Sequence, residues 1–157
     1  MTPAQVIAAL KAAGQTVAAA ESLTAGLVTA TLTTVPGASA VVRGGLVVYA
    51  TDLKATLAGV DPALLAARGA VNAEVAAQLA AGARTRCGAD IGVGLTGVAG
   101  PDPQDGVAPG TVHIALVSPR GELRELLEVP GTRENVRSAA VAGVLALIGR
   151  DLGTLSA

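Results

Sequence analysis

Apolar positions along this chain fall into two rhythms, one of period near four and one of short unbroken runs. Val6, Ile7 and Leu10 recur at helical spacing, and Gly14 ends the helix they predict. Residues 16–20 form a short apolar run that reads as a buried strand, interrupted by Glu21 and Ser22. The pattern predicts a helix over 23–34, closed by Val35-Pro36-Gly37. Residues 44–49 are rich in Val and read as a second strand. A short helix is predicted over 52–57. Another follows Asp61-Pro62, where Pro suits the first helical position.

Asn72 is a good N-cap for a helix over 73–86, with Glu74 in its first turn, arginines in its last and Gly88 beyond. Residues 91–96 carry no charge, which places that strand at the centre of a sheet. Residues 111–117 and 123–129 flank Ser118-Pro119-Arg120-Gly121 as a hairpin. Val136, Ala139, Ala140, Gly143, Val144 and Leu147 form one face of a last helix. The early strands alternate with helices and predict parallel pairing; the late hairpin is antiparallel. The expected fold is a three-layer α/β/α sandwich around a mixed, mostly parallel sheet. Sites then belong at the carboxyl ends of the parallel strands. Neither a linker nor an internal repeat divides the 157 residues, so one domain over 1–157 is expected.

Composition narrows the chemistry. Hydrophobic residues make up 51% of the chain, enough for a sizeable aliphatic core. Mean hydropathy is +0.57, yet the longest apolar stretch, residues 139–148, falls far short of the ~20 residues a spanning helix needs. The first residues lack a basic region and a long apolar run, so no signal peptide is expected. A net charge of −1 without a dense basic patch argues against nucleic-acid partners. Cys87 is the single cysteine, which excludes a disulfide framework and a cysteine metal cluster and fits a reducing cytoplasm. His113, the single histidine, excludes mechanisms that need two; alternation puts it opposite Val112 and Ile114, in a packing or surface role. An Ala-rich surface this apolar predicts self-association into a homo-oligomer.

Three loops can carry chemistry. Ala20-Glu21-Ser22-Leu23-Thr24-Ala25-Gly26 joins a strand to a helix and puts Ser22 at the helix mouth, where N–H groups favour an anion. On spacing alone the simpler role for Ser22 is an N-cap. Leu95-Thr96-Gly97-Val98-Ala99-Gly100-Pro101 ends a strand in a glycine-bearing loop that can approach a ligand closely. The string Gly92-Val93-Gly94-Leu95-Thr96-Gly97 matches GxGxxG, but its glycines fall inside a strand and Pro101 follows, so it is no dinucleotide fingerprint. Arg133 and Arg137 lie four apart in the first turns of the last helix. A cation there is unfavourable by roughly 0.3–1 kcal/mol unless an anion binds. A solvated pair held by Glu134 and a phosphate site are equally good readings of Arg137. Asp102 and Asp105 lack a third ligand, so no metal is expected. Tyr49, the only aromatic residue, and Lys54, one of two lysines, stand out against this composition. A Lys amine can lose its proton and act as a base, unlike an Arg guanidinium.

Together these segments resemble the CinA C-terminal domain family, the nicotinamide-nucleotide amidohydrolases. The family pattern of Ala-Glu-Ser-x-Thr-x-Gly, Tyr-Ser-Asn-x-x-Lys, Thr-Gly-x-Ala-Gly-Pro, Gly-Thr-Val and Gly-x-Arg-x-x-x-Arg is similar to residues 20–26, 49–54, 96–101, 110–112 and 131–137. Val35-Pro36-Gly37-Ala38-Ser39 and Gly69-Ala70-Val71 are similar as well. This chain departs at Ala50-Thr51, where the family has Ser-Asn, and in a short 102–109 loop without the family's Lys before Pro.

The resemblance implies hydrolysis of the carboxamide of nicotinamide mononucleotide to nicotinate mononucleotide and ammonia, in pyridine nucleotide salvage. It implies Ser22 as nucleophile, Lys54 as base and Tyr49 in an assisting role. Thr24, Gly26, Thr96 and Gly97 are implied as substrate contacts, with Arg133 or Arg137 on the phosphate. No metal or cofactor is implied, and the partner is a small nucleotide rather than nucleic acid or membrane. The oxyanion donors are expected at the helix mouth beside Ser22. A domain that binds a pyridine nucleotide or another phosphorylated ligand without hydrolysing it is the alternative. An interaction module without a ligand is a third reading, against which the polar residues at strand ends speak.

Overall fold

The computed structural model describes residues 1–155. Its strands are β1 (Val17–Glu21), β2 (Val42–Val47), β3 (Ile91–Gly97), β4 (Thr111–Ser118) and β5 (Gly121–Glu128). Its α-helices are α1 (Pro3–Ala13), α2 (Leu27–Thr33), α3 (Thr51–Thr56), α4 (Pro62–Arg68), α5 (Ala73–Cys87) and α6 (Arg133–Asp151). One sheet runs in the order β2-β1-β3-β4-β5. β1 pairs in parallel with β2 and β3, while β4 is antiparallel to both β3 and β5. Only β4 therefore runs against the other strands. The sheet is mostly parallel by direction, although its pairings divide evenly between the two kinds.

Alternation along the central strands builds the two outer layers. Val17 and Ala19 of β1, with Ile91, Val93 and Leu95 of β3, face a core shared with α1, α2 and α6. Ala18 and Ala20 face the opposite side, where Val75, Leu79 and Ala83 of α5 pack with Val60 and Leu65. This is the expected three-layer sandwich. β3 is buried along its whole length, as a strand without charge in mid-sheet should be.

The GxGxxG string serves packing. A Cβ on Gly92 would come within 2.0 Å of the Ala80 carbonyl oxygen, and one on Gly94 within 2.3 Å of that of Ala76. These glycines let α5 lie against the sheet backbone.

Helix ends follow the local chemistry. Thr2 and Thr132 cap α1 and α6 in reciprocal capping boxes, and Asn72 caps α5 through the N–H of Val75. The helix predicted over 23–34 is shorter. Residues 22–26 form a turn, with Ala25 and Gly26 in the left-handed region at φ 49° and 99°, and α2 begins at Leu27. The three parallel strands end on the same side of the sheet. The segments that follow them, residues 22–26, 48–54 and 98–110, are thereby gathered at one edge.

Candidate active site

A cavity of about 640 Å³ opens where those segments meet. It lies within the 300–1,000 Å³ typical of small-molecule sites. Ser22, Tyr49, Lys54, Thr96, Gly97 and Arg133 all line it. Thr24, Gly26 and Arg137 do not.

Ser22 follows the last residue of β1, and its N–H donates to the carbonyl of Leu95 on β3 at 3.2 Å. That bond ties the turn to the centre of the sheet. The Ser22 hydroxyl makes no hydrogen bond among the described residues, and the side chain is nearly buried at 7% exposure.

The neighbouring Glu21 changes the reading of the helix mouth. Its side chain is fully buried. One carboxylate oxygen accepts from the N–H groups of Gly26 and Val28, both at 3.0 Å. The other accepts from the Thr29 N–H at 2.9 Å and the Thr29 hydroxyl at 2.8 Å. Gly26, the N-cap, has no side chain to cap the helix, so Glu21 does it from five residues upstream. The expectation that the α2 mouth supplies oxyanion donors is corrected: those N–H groups are held by Glu21. Nor is Ser22 the N-cap, for it stands four residues before Gly26.

Lys54 sits on α3 and is 2% exposed. Its Nζ donates to the carbonyls of Val48 at 2.9 Å and Tyr49 at 3.2 Å. Removal from water lowers its pKa from 10.5 to about 8, against an opposing pull from the Asp52 carboxylate. Two carbonyls engage two N–H bonds of the amine. The remaining tetrahedral position holds a proton in the ammonium and a lone pair in the free amine. A base near neutrality needs this arrangement.

Thr96, at the end of β3, donates its hydroxyl proton to the Ala70 carbonyl at 2.6 Å. That bond draws Ala70 and Val71 into the cavity wall. The Gly69-Ala70-Val71 similarity was the only sequence signal for this segment. Gly97 is required by close approach: a Cβ there would lie 2.7 Å from the Thr111 carbonyl oxygen.

Arg133 stands at the cavity mouth. Its guanidinium donates to the Gly100 carbonyl at 2.9 Å and to the Tyr49 hydroxyl at 2.8 Å. Arg137, one turn on, faces inward instead. Its Nε donates to the Leu23 carbonyl at 3.0 Å and its terminal nitrogen to that of Thr24 at 3.1 Å. The two arginines thus have separate places. Thr24 is fully buried, and its Oγ1 has no partner among the described residues. Gly26 serves through its left-handed backbone and its N–H to Glu21. Glu21 is the residue that sequence reasoning passed over; an acidic residue between an apolar run and a helix was the available signal.

His113 lies outside the cavity on β4, where burial lowers its pKa. Among the described residues no group of three or more His, Cys, Asp or Glu side chains is placed to hold a metal, and no helix is long and apolar enough to cross a membrane.

Comparison with known proteins bears on the family and the fold. A CinA-like protein from Frankia casuarinae is 51% identical over 140 residues, which is 89% of this chain and 32% of that protein. This chain thus spans about a third of the length of the curated relatives it matches by sequence. The crystal structure of the competence/damage inducible protein CihA from Agrobacterium tumefaciens superposes with a TM-score of 0.91 at 34% identity, covering 96% of this chain and 93% of that one. A CinA superfamily protein from Klebsiella pneumoniae gives a TM-score of 0.92 at 29% identity, with 98% and 96% covered. Residues 2–152 match the CinA C-terminal domain, and the chain belongs to that family.

Proposed function

We propose that this domain hydrolyses the carboxamide of nicotinamide mononucleotide, giving nicotinate mononucleotide and ammonia through a Ser–Lys mechanism. The observation that carries the reading is Lys54: a buried amine with its pKa lowered to about 8, lining the same cavity as the unengaged Ser22 hydroxyl. Family membership and the cavity volume support it.

In this mechanism the neutral Lys54 amine takes the Ser22 proton as Ser22 Oγ bonds to the carboxamide carbon. Nζ is bonded to Val48 and Tyr49 rather than to Ser22, so transfer follows a rotamer change or passes through one water. The tetrahedral intermediate collapses with cleavage of the C–N bond. The Lys54 ammonium returns its proton to the departing nitrogen, which leaves as ammonia. Water, deprotonated by the regenerated amine, then cleaves the ester and frees Ser22. Arg133 supplies charge for the phosphate, and Tyr49 holds Arg133 in place. No step in this scheme needs a histidine.

Ammonia release from the mononucleotide tests the proposal. Wild type should turn over, and Ser22→Ala should fall to background. Normal turnover by Ser22→Ala would remove Ser22 as nucleophile. A ligand-binding domain without hydrolysis is the second reading, favoured by the absence of a Ser22–Lys54 hydrogen bond among the described residues. Tight calorimetric binding of the mononucleotide with no ammonia formed would select it.

A further inference from the structure

Because Glu21 occupies the N–H groups of Gly26, Val28 and Thr29, negative charge developing at a carbonyl attacked by Ser22 needs other donors. One stands beside the nucleophile. The N–H groups of Ser22, Ala25, Gly26 and Leu27 are all engaged, whereas those of Leu23 and Thr24 donate to no acceptor among the described residues; of these two residues Thr24 is fully buried and lines no part of the cavity.

Their directions follow from the carbonyls that precede them. In a trans peptide the N–H points opposite to the C=O of the preceding residue. The Leu23 carbonyl is turned to Arg137, so the Thr24 N–H is turned away from it. The Ser22 carbonyl is turned to the Ala25 N–H, so the Leu23 N–H is turned away from the interior of the turn. Leu23 itself lines the cavity next to Ser22.

We infer that Arg137 is a positioning residue for an oxyanion donor, the N–H group of Leu23 beside Ser22. The inference rests on the amide-hydrolase reading of Ser22. The planar guanidinium grips two successive carbonyls as a fork, which a single ammonium cannot do. It therefore fixes the planes of the Leu23–Thr24 and Thr24–Ala25 peptides, and the Ala25 N–H of the second passes the constraint to the Ser22 carbonyl, whose peptide carries the Leu23 N–H. A cation on a carbonyl oxygen also polarises its peptide and strengthens the N–H at the other end. Glu21 holds the far end of the same turn. Ser22 is thus presented on a segment clamped through N–H groups by one buried carboxylate and through carbonyls by one guanidinium. Arg137 touches no substrate in this arrangement; Arg133 is the arginine exposed to one.

The test compares wild type, Arg137→Met and Arg137→Lys on nicotinamide mononucleotide and on its nucleoside, which lacks the phosphate. Hydrogen exchange of the segment spanning residues 21–30 is followed in the same proteins. Oxyanion stabilisation acts in the transition state, so kcat should fall about 100-fold in Arg137→Met for both substrates with KM nearly unchanged. Exchange at residues 22–26 should quicken. Arg137→Lys should lose less, and it carries the test if Arg137→Met does not fold. A KM rise confined to the mononucleotide would make Arg137 a phosphate ligand and overturn the inference, as would unchanged turnover of both substrates. Wild type inactive on both would remove the hydrolase reading and the oxyanion role with it. Faster exchange in Arg137→Met would then mark that failure as distinct from failure of the clamp, and unchanged exchange would overturn the clamp too.

Discussion

The Arg133 guanidinium donates to the Tyr49 hydroxyl at 2.8 Å, across 84 residues of chain. The same guanidinium donates to the Gly100 carbonyl. One side chain at the start of α6 thereby joins the segments that follow β2 and β3 at the cavity mouth. The bond also assigns the hydrogen on Tyr49. Its oxygen accepts from a group that can only donate, so its own O–H is free to donate to a ligand.

This geometry predicts how the phosphate is recognised. Arg133→Met should raise KM for the mononucleotide about 10- to 100-fold, the range for a lost charge-assisted hydrogen bond. The nucleoside should be little affected. Tyr49→Phe should cost less, about 3- to 10-fold, because it removes one partner of Arg133 and leaves the charge. The double variant should fall short of the product of the two effects, since both remove the same bond. Equal losses with and without the phosphate would place Arg133 elsewhere in the mechanism.

Lys54 fixes the expected pH dependence. In the proposed mechanism the base is unprotonated, so kcat/KM should rise about tenfold per pH unit and level off near pH 8. Asp52 raises this pKa, so Asp52→Asn should move the rising limb to lower pH. Lys54→Arg should be inactive at every pH, because a guanidinium does not give up its proton. Stability should follow the same group. The folded pKa lies below the unfolded value of 10.5, so between about pH 8 and 10.5 the unfolded chain binds more protons. This contribution destabilises the protein fully below about pH 8 and fades as pH rises towards 10.5. Urea denaturation across that window should show wild type gaining stability relative to Lys54→Met. A flat difference would contradict a depressed amine.

Glu21 should matter for stability before it matters for chemistry. Its carboxylate receives three N–H groups and one hydroxyl in a fully buried site. Glu21→Gln keeps the shape but has one acceptor oxygen and turns an NH2 group towards donors. A loss of about 2–4 kcal/mol is expected from buried donors left unsatisfied. Chemical denaturation measures it. A variant as stable as wild type would mean that α2 does not depend on this cap.

Much of the fold was legible in local pattern. Uncharged residues 91–96 announced a central strand, and Asn72 with Gly88 bracketed α5 almost to the residue. Ser22, Lys54, Thr96 and Arg133 come together because each ends or follows a strand or lies in the first turn of a helix at the same sheet edge, a relation that element order already implied. Less legible were effects reaching across the chain. The spacing of Arg133 and Arg137 suggested a shared task. Yet the first reaches Tyr49 and the second reaches Leu23 and Thr24, more than 110 residues away, and nothing local distinguishes them. The late start of α2 had the same origin. Residues 23–26 are held as a turn by the long-range grip of Arg137 on the Leu23 carbonyl together with the local bond from the Gly26 N–H to Glu21.

Covalent catalysis by Ser22 is the central claim, and rapid acid quench during turnover of nicotinamide mononucleotide tests it most directly. Mass spectrometry of the digested protein should find the nicotinate mononucleotide acyl group esterified to the peptide containing Ser22, and Ser22→Ala should lack it. An unmodified Ser22 peptide under full turnover, or an adduct on a different residue, would contradict the account.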